Sequence, residues 1–236
     1  MKKIVFLLTC SIMIMSSMFT SFAVTNEESV AQDIKTTNPI FYEFLSESEV
    51  SKIAVINVYG EIVNDKHSAD VKKSLEKGNY NEVISMLIEF DLALTHDEKI
   101  KKNKISGGNE ITPYTISSEV QFTKEFYELR TDSTGTFTKE WITKLSGKYI
   151  ENSDGTFTAM GNPSITVIAD FGSSFSVNPR SYSTGYSYQN SNRAISFYGS
   201  YTMDATASVP LNIGGFEFPI GKTFTWGQIY RSHTVQ

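Results

Sequence analysis

A long stretch of alternating side chains near the C-terminus constrains the fold of this chain more than any other feature. Between positions 195 and 213 the odd positions carry Ile, Phe, Gly, Tyr, Met, Ala, Ala, Val, Leu and Ile, whereas most even positions are polar. Because successive side chains of a β-strand point to opposite faces, this period predicts strands with one apolar and one polar face. Pro210 cannot donate a hydrogen bond to a neighbouring strand, so we expect the run to break there.

Short turn signals indicate that the strands of this region are antiparallel. Gly214-Gly215 separates the long run from a second alternation, which has its apolar residues on even positions. Segments 133–138 and 153–158 share the pattern Ser-Xaa-Gly-Thr-Phe-Thr, which predicts a turn with Gly at a positive φ followed by the start of a strand. Antiparallel sheets with one solvated face commonly pack in pairs, so the sequence predicts a sandwich.

The charge composition changes along the chain and predicts two parts. Residues 24–119 include 10 basic and 17 acidic side chains, whereas residues 161–236 include only seven charged side chains in all. We therefore predict an α+β protein with a small helical N-terminal region at 40–106 and an all-β, antiparallel, sandwich-like domain at 118–236. Gly-Gly and Pro at 107, 108 and 113 mark a linker at 107–117.

Three segments of the N-terminal region carry helical signals. In residues 46–62 a Ser and a Glu three positions apart form a capping-box pattern, followed by apolar residues at helical spacing. A second helix is predicted to begin after Gly78-Asn79, with its apolar side chains on one face. Residues 95–104 begin with another capping-box pattern and end in lysines, which suit the C-terminal end of a helix dipole.

The N-terminus has the features of a secretory signal peptide. Lys2 and Lys3 precede an apolar run that ends in Ser21-Phe22-Ala23, so we predict cleavage after Ala23, a signal peptide at 1–23 and a flexible segment at 24–39. Cleavage would also remove Cys10, the single cysteine, and leave a mature chain without disulfides. Retention of the run as an N-terminal membrane anchor is the alternative, because about 20 apolar residues can span a bilayer.

The side chains that common enzymes require do not occur in a recognisable arrangement. His67, His96 and His233 have no partner at metal-ligand spacing, and neither a nucleophile-elbow motif nor a phosphate-binding glycine loop is present. Asp170 and Asp204 lie on the polar parity of their strands, so we expect solvated carboxylates and not the desolvated acid of a glycosidase. The sequence therefore predicts a non-enzymatic protein without a metal or cofactor; a hydrolase without a recognisable motif is a third alternative.

Four tyrosines are the candidate binding residues. Tyr182, Tyr186 and Tyr188 lie in a segment rich in Ser, Asn and Gly that has the composition of an exposed loop or edge, and Tyr198 interrupts the Ser/Thr face of the long alternation. An exposed tyrosine offers a flat apolar ring with a polar tip, which suits sugars, protein partners or a membrane interface. Packing of these rings against cross-strand neighbours is the alternative.

These features predict a secreted bacterial protein whose β domain binds at a surface: a cell wall, a glycan or another protein. The acidic balance disfavours nucleic acid as a partner. The alternative is a membrane-active toxin, and contact with a membrane is the less favoured prediction. In its Ser/Thr face and lack of charge, the run at 195–213 resembles the hairpins of secreted β-pore-forming toxins of the aerolysin kind, which implies insertion into a bilayer. An ordinary sandwich strand has the same alternation, so the sequence is compatible both with a sandwich strand and with a membrane hairpin at 195–213.

Overall fold

The structure, a computed structural model, describes residues 33–47, 49–104, 118–213 and 215–236, and within these it leaves the side chains of 97–104 undescribed. The predicted signal peptide at 1–23, the predicted linker at 107–117 and Gly214 therefore lie outside the described residues. The described part of the predicted flexible segment 24–39 contains a helical turn at 33–37, in which Ile34 is fully buried.

Helices occur before the β-rich part of the chain, and strands make up most of the remainder. The helices are α1 (Pro39–Ser46), α2 (Lys66–Glu76) and α3 (Tyr80–Glu89). The strands are β1 (Ile53–Ile56), β2 (Ala93–Lys104), β3 (Ser118–Thr131), β4 (Thr138–Glu151), β5 (Phe157–Ala159), β6 (Ser164–Ile168), β7 (Phe175–Val177), β8 (Arg180–Gln189), β9 (Ala194–Ala207), β10 (Leu211–Ile213), β11 (Phe216–Phe218) and β12 (Thr223–Val235).

Two antiparallel sheets form the body of the protein. The first sheet has the order β1-β2-β3-β4-β5, and β6 also pairs with β4. In the second sheet β9 pairs on one side with β12 and on the other with both β7 and β8, while β10 and β11 form a separate hairpin. The predicted α+β class and the antiparallel sandwich are therefore confirmed.

The hydrophobic core lies in two layers, one on each side of the first sheet. Between the sheets, Trp141 of β4 packs with Tyr201 of β9 and Trp226 of β12. On the opposite side of the first sheet, Phe41 of α1 packs with Tyr127 of β3 among the buried residues of the helices. The molecule thus consists of a helical layer, the first sheet and the second sheet, in that order. The outer face of the second sheet is the side left for solvent.

The alternation and turns of the β region form as predicted. The odd positions of β9 are buried throughout, and the strand ends at Ala207, three residues before Pro210. Gly135 and Gly155 have φ values of 73° and 76° in the turns after β3 and β4, which favour glycine because a side chain there is strained. Ile213 is opposite Phe216, so the hairpin predicted at Gly214-Gly215 is also formed.

Two of the three helix predictions are wrong, and the third is confirmed. Within 46–62 the chain forms a 3₁₀ turn (Val50–Lys52) and then β1, because the β-branched run at 53–58 fits a sheet better than a helix. Residues 95–104 belong to β2, which pairs with β3, so pairing between strands outweighs the local capping pattern and the lysines do not end a helix. The helix predicted after Gly78-Asn79 is α3, with Asn79 at its N-cap position.

Candidate functional site

The outer face of the second sheet has a uniform surface chemistry. Strand pairing places β8, β9 and β12 side by side, and the side chains that point away from the core are almost all hydroxyl-bearing. We call this surface the hydroxyl face, and it consists of Ser183, Gly185, Ser187, Ser196, Tyr198, Ser200, Thr202, Gln228, Tyr230, Ser232 and Thr234. None of these side chains is charged at neutral pH. The even positions of β9 form it because its odd positions fill the core.

Two tyrosine rings stack at the centre of the hydroxyl face. The rings of Tyr198 and Tyr230 have centroids 6.2 Å apart and planes 20° apart. Tyr230 is 39% exposed and Tyr198 is half-buried. Burial, with a smaller contribution from Tyr198, raises the pKa of Tyr230 above its ordinary value. The pair thus consists of two partly exposed aromatic rings, each with a polar hydroxyl.

The Tyr198 ring occupies the space above Gly185 on the neighbouring strand. A Cβ atom built at Gly185 would lie 2.6 Å from the Tyr198 Oη atom, which is closer than non-bonded atoms approach. Gly185 and Tyr198 are direct cross-strand partners. The absence of a side chain at 185 therefore lets the ring lie flat on the sheet.

Hydrogen bonds between strands hold the polar side chains of this face in place. The Ser196 hydroxyl lies 2.7 Å from the Thr234 hydroxyl on β12. The Gln189 side-chain amide donates to Ser196 at 2.9 Å, and the Gln228 amide donates to Ser200 at 3.4 Å. These hydrogen bonds hold the Ser196 and Thr234 hydroxyls in fixed positions on paired strands, whereas Ser200 is buried.

An ion pair closes one end of the face. Arg180 donates to Asp204, whose side chain is nearly fully buried although the parity of the sequence predicts a solvated carboxylate. That prediction is wrong for Asp204: the register of β8 shifts between Arg180 and Ser183, at a residue with φ of 57°, and Arg180 forms an ion pair with the buried carboxylate. Asp170, in contrast, is exposed as predicted.

The structure separates the four predicted tyrosines. Tyr198 is on the hydroxyl face, whereas Tyr186 and Tyr188 are opposite Phe197 and Ile195 on the core side of β8. Tyr186 packs against the core between the sheets, and the Tyr188 hydroxyl accepts a hydrogen bond from the Ala159 amide at 3.1 Å.

Tyr182 is 50% exposed at the β8 edge, where its ring stacks on Tyr201 at 6.0 Å. Sequence reasoning missed Tyr230, the stacking partner of Tyr198. The alternation of β12, in which Gln228, Tyr230, Ser232 and Thr234 share one parity, is the signal that could have indicated it.

A fully buried ion pair supports the strand that carries Tyr230. The Arg231 Nε atom donates to Glu128 of β3 at 2.7 Å, and both side chains are inaccessible to solvent. The Arg231 Nη1 atom also donates to the carbonyl oxygens of Tyr230 and Val58. The guanidinium thereby connects β12 with the first sheet and with the loop after β1.

The described residues contain neither a metal-binding cluster nor a membrane-spanning helix. Within the described ranges no three His, Cys, Asp or Glu side chains form a group that could hold a metal ion. None of the helices in the described part of the chain is both long enough and apolar enough to cross a membrane. The chain matches no protein-family model, no curated protein and no solved structure.

Proposed function

We propose that this chain is a secreted bacterial, non-enzymatic protein that binds a neutral glycan of a cell wall or cell surface through the hydroxyl face. The observation that carries this proposal is the stacked pair of Tyr198 and Tyr230, partly exposed in the middle of an uncharged, hydroxyl-bearing sheet face. A protein partner at the same face is the other form of surface binding that the sequence predicts.

The chemistry of the face complements that of a sugar. The C–H faces of a sugar ring pack against aromatic rings, and its hydroxyls exchange hydrogen bonds with Ser, Thr and Gln side chains. The absence of charge from the face favours a neutral polysaccharide over an acidic one. Because the side chains are fixed on paired strands, little conformational entropy is lost when the ligand binds.

The length of the face favours an oligosaccharide over a single sugar. Ser196 and Thr202 are six residues apart on β9, which corresponds to about 20 Å at a rise of about 3.3 Å per residue. The hydroxyl face is therefore an extended surface, with Tyr198 between Ser196 and Thr202.

Retention on insoluble neutral polysaccharides and on purified cell walls, followed by titration with soluble oligosaccharides, tests this proposal. We expect Tyr198→Ala and Tyr230→Ala each to weaken binding by about fivefold or more, as truncation of a central aromatic contact does. Tyr182→Ala is a matched control, since this ring is exposed at the edge of β8 and outside the stacked pair. Unchanged retention of both stacked-pair variants would contradict the proposal.

A second arm of the experiment addresses the other predicted residues. Tyr186→Ala and Tyr188→Ala remove rings on the core side of β8. If these variants and Tyr182→Ala lose binding while Tyr198→Ala and Tyr230→Ala retain it, the site is the β8 edge and not the hydroxyl face. Thermal denaturation of each variant separates lost binding from lost folding.

The second candidate function is membrane insertion of the toxin kind. Strands β9 and β12 have 14 and 13 residues, more than the roughly 9–11 that a tilted strand needs to cross a bilayer. Their apolar faces are buried between the sheets, so insertion would require the sandwich to open. Dye release from vesicles and detergent-resistant oligomers would support this function, and silence across several lipid compositions would contradict it. A hydrolase remains the third prediction.

A further inference from the structure

A cleft lies beside the hydroxyl face, between the C-terminal part of β12 and the first sheet. Its volume is about 420 Å³, within the roughly 300–1,000 Å³ of small-ligand sites. One wall is the loop after β1, at residues 60–62, and the other is β12 at residues 232–234. Buried side chains of the first sheet form a largely apolar inner end: Ile56, Thr95 and Phe126.

The loop that forms the first wall is held in place on both sides. The Asn57 side-chain oxygen accepts hydrogen bonds from two amides of the loop, at 2.9 and 3.0 Å. The Arg231 Nη1 atom donates to the Val58 carbonyl at 3.1 Å, which attaches the loop to β12. A Cβ atom at Gly60 would lie 3.2 Å from the Ser232 amide nitrogen, so the loop approaches this strand closely. The cleft is therefore preformed, as small-ligand sites usually are.

The cleft borders the hydroxyl face at the stacked tyrosines. Ser232 and Thr234 belong both to the hydroxyl face and to the wall of the cleft. Ser232 is the cross-strand partner of Tyr198. Tyr230 is two residues away from Ser232 on the same face of β12, about 7 Å at the rise of a strand. A sugar ring on the tyrosine pair therefore lies beside the cleft.

We propose that the cleft binds the acetamido group of an N-acetylated amino sugar, carried by the same neutral glycan that contacts the Tyr198–Tyr230 pair. This inference rests on the proposed function and specifies its ligand. An acetamido group combines an apolar methyl with an amide donor and a carbonyl acceptor. A sugar without it has only hydroxyls to direct at the apolar inner end, where they would lose hydrogen bonds to water.

The lining of the cleft matches the parts of this group. Ile62 is 57% exposed and offers an apolar wall for the methyl group. The hydroxyls of Ser232 and Thr234 and the side-chain amide of Gln236 also line the cleft. These groups can donate to the carbonyl oxygen or accept from the amide N–H.

The charged side chains of the cleft do not favour a charged ligand. Glu61 and Lys124 both line it, so two formal charges of opposite sign are present. A free amine in place of the acetamido group would lose the methyl contact and place an ammonium group near the apolar inner end. The acetamido group is uncharged, in agreement with a neutral glycan on the hydroxyl face.

Calorimetric titration of the full mature chain with two matched probes tests this inference. The probes are the β-1,4-linked hexamers of N-acetylglucosamine and of glucose, which differ only in the group at C2 of each sugar. We expect the wild type to bind the N-acetylated hexamer about tenfold or more tightly, from burial of a methyl group and hydrogen bonds to the amide. Ile62→Ser should lower this preference by about fivefold, whereas Tyr198→Ala should weaken the binding of both hexamers.

A matched control and the pattern of binding separate this inference from the proposed function. Ile168→Ser removes a side chain that is 48% exposed on β6, outside the cleft, and should keep the full preference. Thermal denaturation checks that each variant folds, and the comparison of the two hexamers on the wild type needs no variant. Equal binding of both hexamers, weakened by Tyr198→Ala, would retain the glycan function and overturn this inference.

Two further outcomes would also overturn it. A preference that Ile62→Ser leaves intact would show that the cleft does not bind the acetamido group. Binding of neither hexamer would exclude this ligand, and retention on the insoluble polysaccharides described above then decides the glycan function separately.

Discussion

At the scale of single residues, the buried charges determine how the sheets are joined. Arg231 is fully buried, and its guanidinium is compensated by Glu128, by two backbone carbonyls and by the face of the Phe126 ring 5.8 Å away. A buried charge is tolerated only when its hydrogen-bonding groups are satisfied, and the planar fork of arginine can satisfy several acceptors at once. This arrangement fixes the position of β12 and hence of Tyr230.

Replacement of this arginine should destabilise the protein strongly. Arg231→Met leaves the Glu128 carboxylate buried beside Arg130, whose Nε atom is 3.6 Å away. We expect a loss of about 3–5 kcal/mol in the free energy of unfolding, measured by urea denaturation. The double variant Glu128→Gln/Arg231→Met removes both charges and should recover part of that loss. A single-variant loss below about 1 kcal/mol would contradict the compensation described here.

Glu140 is a half-buried carboxylate that attaches α1 to the first sheet. Its carboxylate accepts hydrogen bonds from the backbone amides of Ile40 and Phe41 at 3.1 and 3.2 Å and from the Tyr127 hydroxyl at 2.8 Å. Burial raises the pKa of Glu140, although these hydrogen bonds act in the opposite direction. Burial, followed by the charge of Glu140 and the hydrogen bond to it, raises the pKa of the Tyr127 hydroxyl.

The raised pKa of Glu140 makes its contribution to stability depend on pH. The native carboxyl binds its proton more tightly than the unfolded one, so its contribution is most favourable below the unfolded pKa of about 4.3 and declines as pH rises through the native pKa. The unfolding free energy of the wild type minus that of Glu140→Gln should therefore fall between pH 4 and pH 7, by at most about 1.4 kcal/mol per pH unit. Urea denaturation at several pH values measures this difference, and a flat or rising difference would refute the assignment.

At the scale of the elements, the edge strand β8 combines a bulge, a glycine and a tight turn. Ser181 has a φ of 57°, and Asn190, Ser191 and Asn192 have positive φ values in the turn to β9. Between these irregular ends, Gly185 has no side chain and so leaves the space that the Tyr198 ring occupies. The candidate site thus depends on backbone features of β8 as well as on side chains of β9.

Substitution of the glycine should affect binding more than folding. In Gly185→Ala the new Cβ would overlap the Tyr198 hydroxyl, so the half-buried ring must leave its position above β8, which changes its geometry with Tyr230. We expect glycan affinity to fall by about fivefold or more while the free energy of unfolding changes by about 1 kcal/mol or less. Gly155→Ala is the control: its φ of 76° is strained for alanine, so it should cost about 1–2 kcal/mol of stability without affecting binding. Equal effects of both substitutions on affinity would refute this role for Gly185.

The helices, strands and turns also differ in whether a short stretch of sequence is enough to predict them. Helix α3 and the turns at Gly135 and Gly155 follow from patterns within a few residues. Strand β2 does not follow from its local sequence, because the capping-box pattern within it predicts a helix. Its pairing partner β3 begins at Ser118, further along the chain than the end of β2 at Lys104. Pairing with a distant strand adds hydrogen bonds and burial that no short window of sequence contains.

At the scale of the whole molecule, the first sheet connects the two predicted parts of the chain. Strands β2 and β3 are paired from Leu94 opposite Tyr127 to Lys104 opposite Ser118. Its central part is covered on both faces, by helices on one side and by the second sheet on the other. The division of the chain into two parts at 107–117 stays a prediction, and unfolding measurements test whether the two parts are independent.

We expect a single cooperative unfolding transition, and the two tryptophans can report it. Trp141 and Trp226 are in the core between the sheets, whereas Phe44 packs in the helical layer. Phe44→Ala should lower stability by about 3–5 kcal/mol and shift the tryptophan fluorescence transition together with the far-UV circular dichroism. Phe197→Ala, between the sheets, is the matched variant and should shift both signals likewise. A tryptophan transition unchanged by Phe44→Ala would indicate two independent domains.

The sequence by itself determined the antiparallel β character of the C-terminal part, the buried parity of β9, the glycine turns, α3 and the position of Tyr198 on a polar face. Each of these depends on the alternation of strands, the period of helices or the φ preference of glycine, which act over a few residues.

Only the tertiary structure decided that β1 and β2 are strands, that Asp204 is buried beneath Arg180, that Tyr186 and Tyr188 are on the other side from Tyr198, and that Arg231 meets Glu128. These outcomes depend on strand register and on contacts between residues up to 103 positions apart. Their free energy comes from burial and pairing across the folded chain, which local sequence does not specify.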